Sequence, residues 1–80
     1  MMSDAISIYP NPPKDKINIK VDKEASGIHY VIYDALGIIL KEGKPIENKI
    51  KIQDIQSGNY LICFLKQNTV VETIKFTIIK

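Results

Sequence analysis

The stretch "SGNYLICFLKQNTVVETIKF" (57–76) decides how this chain folds. Its middle, "NYLICFLK" (59–66), is the strongest strand signal in the sequence: aromatic, β-branched and leucine side chains without a helix-period polar face. "QNT" (67–69) interrupts it with turn residues, and "VVETIKFTIIK" (70–80) resumes with period two. There Val70, Ile74, Phe76 and Ile78 are expected on one face, with Thr73, Lys75 and Thr77 on the other. Two long strands joined by so short a turn read as an antiparallel hairpin. The entry to the stretch is as informative. Gly58 stands two residues before Tyr60 where a turn becomes a strand, the spacing of a tyrosine corner. In that device the phenol bonds back to upstream backbone and fixes a crossover between sheets. Glycine suits a crowded or left-handed backbone position there, and Ile55 is expected to enter the core as the turn crosses the end of the fold.

The same period runs through the rest of the chain. "KINIKV" (16–21) sets Ile17, Ile19 and Val21 against Lys16, Asn18 and Lys20, a half-buried strand. "IHYVIYD" (28–34) is a second strand. It ends in a turn from Asp34 to Gly37 and pairs with "IILKEG" (38–43) as a hairpin. After Pro45, "NKIKI" (48–52) turns Ile50 and Ile52 inward, and "AISIYP" (5–10) supplies an opening strand. With about seven short strands and turn signals every 8–12 residues, the fold class is an all-β antiparallel sandwich, an immunoglobulin-like Greek key. Two strands depart from clean alternation. In 59–66 Leu61, Cys63 and Leu65 oppose Tyr60, Ile62 and Phe64, and in 28–34 Val31 and Tyr33 oppose Tyr30 and Ile32. A sandwich strand needs one buried face. The second face is either covered by a loop or the first strand, or composed of scattered surface residues, or in part a contact surface for a partner.

Composition bounds the function. Eighty residues make one small domain, which buries only about 60–65% of the surface its unfolded chain exposes. That leaves little room for a deep cleft and favours a binding, structural or targeting module over an enzyme. The formal net charge is +2, and every basic side chain apart from His29 is a lysine. Base readout and phosphate clamping draw on arginine's planar fork, so nucleic-acid binding is not expected. Lysines at 14, 16, 20, 49 and 51 sit at strand spacing and read as solvated faces that protect edges. Cys63, flanked by apolar residues, reads as a packing residue and has no intrachain partner. His29 reads as a strand residue. A zinc site needs about four ligands, so no metal or cofactor is expected. Asp15, Asp22, Glu24, Asp34, Glu42, Glu47, Asp54 and Glu72 fall in turns or outward positions, without paired acid–base spacing or a dense calcium loop. No stretch approaches the ~20 apolar residues of a membrane span, and "MMSDAISIYP" lacks the pattern of a signal peptide.

Four motifs then stand in order. "YPNP" (Tyr9, Pro10, Asn11, Pro12) precedes the first alternating strand. A central hydrophobic-x-D-x-x-G turn follows at Ile32, Asp34 and Gly37. Next comes "IQSGNY", with Ile55, Gly58 and Tyr60 as an I-x-x-G-x-Y element, and last a basic-hydrophobic strand from Lys75 to Lys80. Together they resemble the C-terminal sorting domain of the type IX secretion system (the Por secretion system, type A family), from Ile6 to the final residue. Ile38 and Ile39 depart from the polar or basic residue that many members carry after the glycine. The doubled Met1-Met2 points to an added start codon on a piece cut from a longer protein.

The resemblance implies a targeting signal with no catalysis of its own. A cargo domain would precede it in the parent protein. Residues 1–5 would be flexible linker or added residues, and 6–80 the sorting domain. Cargo would reach the periplasm of a Gram-negative bacterium and cross the outer membrane through the type IX translocon. A sortase-like cysteine peptidase would cut ahead of about Ile6 and anchor the cargo at the cell surface. The recognition candidates are Tyr9, Pro10, Asn11, Pro12, Asp34, Gly37, Gly58, Tyr60, Lys75 and Lys80. Of these, Gly58 and Tyr60 are expected to act through the fold, and Lys75 and Lys80 through charge on a hairpin (59–80) whose last strand could pair with a partner's sheet edge. Weak self-association is also open. The rival reading is a fibronectin-III-like accessory or adhesion module of a secreted surface protein, which shares the sandwich and the tyrosine corner. A stop codon directly after Lys80 in the parent gene would favour the sorting signal over it.

Overall fold

The computed structural model describes residues 6–10, 13, 15–21 and 27–80. Asn11, Pro12, Lys14 and residues 1–5 and 22–26 lie outside the described residues, so the linker assigned to 1–5 and half of "YPNP" do too. Among the described residues seven strands follow in chain order: β1 (Ile6–Tyr9), β2 (Lys16–Val21), β3 (Ile28–Asp34), β4 (Ile39–Gly43), β5 (Lys49–Lys51), β6 (Gly58–Lys66) and β7 (Thr69–Ile78). They form two antiparallel sheets, a smaller one in the order β1-β2-β5 and a larger one in the order β4-β3-β6-β7. The all-β sandwich expected from the alternation is therefore what forms. The chain leaves the small sheet after β2, returns to it for β5 and leaves again, which is Greek-key connectivity. The fourth strand joins the larger sheet, whereas in an immunoglobulin constant domain it belongs with the other.

The alternating residues fill the space between the sheets. Ile17, Ile19, Ile28, Tyr30, Ile32, Ile50, Ile52, Ile62, Phe64, Phe76 and Ile78 are buried, joined by Ile6 from β1 and Ile55 from the β5–β6 connection. Isoleucine dominates because it is both β-branched, hence stiff in a strand, and large enough to reach the facing sheet. Pro13, in the passage from β1 to β2, is also fully buried.

Turn chemistry sets the registers. Lys66 pairs with Thr69 across Gln67 and Asn68, whose φ angles of 53° and 64° give the left-handed pair of a two-residue hairpin turn. Glu47 and Asn48, at 53° and 59°, do the same between Ile46 and Lys49. Asn48 is thus a turn residue, and β5 is shorter than the sequence pattern suggests.

Two expectations are corrected. Val70 is not on the core face: it is 55% exposed. The β6–β7 register shifts between Phe64 and Leu65, so Val70 pairs with Leu65 on the outer face while Val71 packs against the core. This is a β-bulge, and one extra residue reverses the alternation beyond it. Nor does the first strand cover the second face of β6, because β1 pairs with β2 in the other sheet. Val31, Tyr33, Leu61, Cys63 and Leu65 stay half-buried on the outside of the larger sheet. Cys63 is consequently a surface-strand residue rather than a core residue, with its Sγ 3.6 Å from the Thr73 hydroxyl.

Candidate recognition surface

The sequence motifs, far apart along the chain, gather at one end of the sandwich. Because the pairings are antiparallel, the end of β1 lies beside the start of β2, and the end of β3 beside the starts of β4 and β6. The end of β7 joins them at the start of β6. The Ile52 amide donates to the Asp15 carbonyl at 3.0 Å, which ties the β5–β6 connection to the same end.

Tyr9 and Pro10 are exposed here. Tyr9 is paired with Asn18, whose side-chain amide donates to the Tyr9 carbonyl at 3.2 Å. The central turn is built by Asp34. Its Oδ1 accepts from the backbone N–H of Leu36 and of Ile38, both at 2.9 Å, and its carbonyl accepts from the Gly37 N–H at 3.0 Å. The Asp34 N–H in turn donates to the Ile38 carbonyl at 3.0 Å. Gly37, at φ 84°, closes this three-residue hairpin loop in a left-handed conformation that side chains with a Cβ resist. The D-x-x-G spacing is therefore turn stereochemistry.

The tyrosine corner forms as the spacing predicts. The Tyr60 hydroxyl donates to the Gln56 carbonyl at 2.7 Å, and the ring packs against Phe76 at 5.8 Å between centroids. Gly58 lies under that ring. A Cβ built on it would stand 3.2 Å from the Tyr60 hydroxyl oxygen, and φ is 159°, which side chains with a Cβ rarely adopt, so both the phenol's close approach and the backbone favour glycine. Lys80 completes the end of the fold. Its backbone N–H donates to the Ser57 hydroxyl at 3.1 Å and its Nζ to the Gln53 carbonyl at 2.8 Å. That lysine acts as a clamp on the β5–β6 connection, while Lys75 projects from the outer face of β7 into solvent.

Asp34, Gly37, Tyr60 and Lys75 border one shallow groove of about 870 Å³ over the outer face, walled also by Tyr33 and Leu61. Gly58, against the Tyr60 ring, and Lys80 do not line it, while Tyr9 lies in the other sheet and Pro10 directly follows Tyr9. Asn59 and Thr77 close one side through a hydrogen bond from the threonine hydroxyl to the Asn59 side-chain oxygen at 2.8 Å. The motifs did not announce this groove. Its signal in the sequence was the second apolar face of β3 and β6. Among the described residues no group of three or more His, Cys, Asp or Glu could hold a metal ion, and no helix is long and apolar enough to cross a membrane.

The structure of PorZ, described as an essential bacterial surface component of the type-IX secretion system of Porphyromonas gingivalis, shares this fold with a TM-score of 0.66. The two chains are 20% identical over 94% of this chain and 11% of that one, so this chain spans about a tenth of that protein. No curated protein sequence matches the chain. The family model for the secretion system C-terminal sorting domain matches residues 7–80, nearly everything from the opening strand onward. With all four motifs inside that span, the chain belongs to this family, the C-terminal signals by which proteins are sorted through type IX secretion.

Proposed function

We propose that residues 6–80 act as a folded address on a cargo protein that precedes them, read by the outer-membrane translocon at the β6–β7 hairpin. One observation carries this reading: among the described residues β7, ten residues long, pairs only with β6, and no described strand lies on its other edge. An open strand edge offers unpaired backbone groups for a partner strand to complete. Lys75 is the exposed charge on that strand and sets register and encounter. Lys80 contributes by holding the end of the hairpin against Gln53 and Ser57. Tyr9, Pro10, Asp34, Gly37, Gly58 and Tyr60 act by shaping the end of the fold, and Asn11 and Pro12 continue the motif in sequence. A sortase-like cysteine peptidase would cut ahead of Ile6, leaving the cargo at the cell surface of a Gram-negative bacterium.

The test fuses residues 1–80 to a periplasmic reporter in strains with and without the translocon. Reporter at the surface only when the translocon is present supports the reading, and periplasmic retention in both strains overturns it. Removing 76–80 is a poor probe of recognition, because Phe76 and Ile78 are core residues at 4% and 1% exposure. Lys75→Glu is the cleaner variant, expected to cut surface reporter several-fold without loss of the fold.

A further inference from the structure

We propose that the outer face of the larger sheet is self-complementary and takes a second copy of this chain. The registers arrange that face in rows. One runs Ile39, Tyr33, Leu61, Lys75 and the next Glu42, Val31, Cys63, Thr73 from β4 through β3 and β6 to β7. The centre is apolar, and the two edges carry opposite charge: Glu42 on β4, Lys75 on β7. Both side chains are exposed, and among the described residues neither is in an ion pair, the one salt bridge being Lys41 to Asp54 at 3.5 Å.

A surface with an acid on one edge and a base on the other complements its own image turned over. A two-fold axis lying along the strands, between β3 and β6, puts β7 of one copy over β4 of the other. Lys75 then faces Glu42 of the second copy, offset by one row, about 7 Å along the strand and within reach of a lysine stem. The apolar rows meet between them, and each Cys63 lies about one strand spacing, roughly 5 Å, from the position directly over its counterpart. A uniformly acidic partner fits less well, because Glu42 would repel it. Four strands at about 4.8 Å spacing and about 22 Å length cover roughly 400 Å², about half of the ~800 Å² each partner gives to a standard interface. The dimer is therefore a weak one, formed in concentrated protein.

The native thiol makes the test possible without mutation. Sedimentation of residues 1–80 from micromolar to millimolar concentration is expected to show the mass rising toward a dimer. Over the same range the reaction of Cys63 with a thiol reagent should slow. Lys75→Glu and Glu42→Lys are each expected to leave the chain monomeric throughout, and the double exchange K75E/E42K to restore association. Thermal unfolding of each variant at low concentration, unchanged from the parent, shows that the fold is intact. A monomer at every concentration, a Cys63 rate that does not depend on concentration, or a double variant that stays monomeric overturns the proposal. These readouts need no translocon, so a failed secretion assay and a failed association assay are separable.

Discussion

At the scale of single residues, the tyrosine corner couples two residues, Gly58 and Tyr60, that the sequence places two positions apart. Tyr60→Phe keeps the ring on Phe76 and removes only the 2.7 Å bond to the Gln56 carbonyl. The expected loss is about 1 kcal/mol in urea unfolding, the net worth of one hydrogen bond. Gly58→Ala pushes a methyl to 3.2 Å from the phenol oxygen and should cost about 1–3 kcal/mol. The oxygen is the nearest atom, so the alanine is expected to cost less in the Tyr60→Phe background, and a double-mutant cycle measures that coupling. Equal costs in both backgrounds would show that backbone conformation, not the phenol, selects the glycine. Tyr30 adds an alkaline sensitivity. Burial favours its neutral phenol, and the Asp54 carboxylate adds to that, so its pKa lies above the ordinary 10.0. The folded state holds this proton longer than the unfolded chain. Its contribution is intact below the ordinary value and is lost as pH rises from there through the folded value. Tyr30→Phe should therefore flatten the fall in melting temperature above pH 10.

At the scale of elements, turns decide where strands begin and end. Asp34 holds the β3–β4 loop with two side-chain acceptances, so Asp34→Ala should cost about 1–2 kcal/mol, while Asn, which can accept at the same position, should recover most of it. Denaturant unfolding of the pair distinguishes turn chemistry from negative charge. Strand existence was legible because isoleucine repeats at period two in β2 and from β5 to Ile52, and each such residue faces the core. The corner was legible because Gly-x-Tyr after Ile55 is a local device with a fixed reach. The fate of Val70 was not, since a bulge depends on how β6 and β7 register against each other, and nothing in "VVET" says which valine yields. The role of Lys80 was also hidden: its partners Gln53 and Ser57 are distant in sequence, and only the closed sandwich brings them near. The groove was half visible. The doubled apolar faces of β3 and β6 marked an unusual surface, but the larger sheet had to form before Tyr33, Leu61 and Lys75 stood in one row.

At the scale of the whole molecule, fold and address have to be separated, because the four sequence motifs are largely devices that close one end of the sandwich. A domain of this size holds only a few kcal/mol of net stability. Ile62 is fully buried between the sheets, and replacing it with alanine should cost about 2–5 kcal/mol, enough to unfold much of the population. Lys75 is exposed on the outer face, and its replacement should move the melting temperature by no more than about 2–4 °C, the range of an ordinary surface substitution. If the machinery reads a folded surface, both variants lose export, but only Ile62→Ala recovers when stability is restored elsewhere. Glu42→Lys, on the opposite edge of the same sheet, then reports which part of that surface is read. Export unchanged by Glu42→Lys and reduced by Lys75→Glu would place reading on the β7 side. Equal loss from both would place it across the whole outer face. Full export of the unfolded Ile62→Ala chain would mean that the signal is read as extended sequence, and the sandwich would then serve the protein after passage rather than during it.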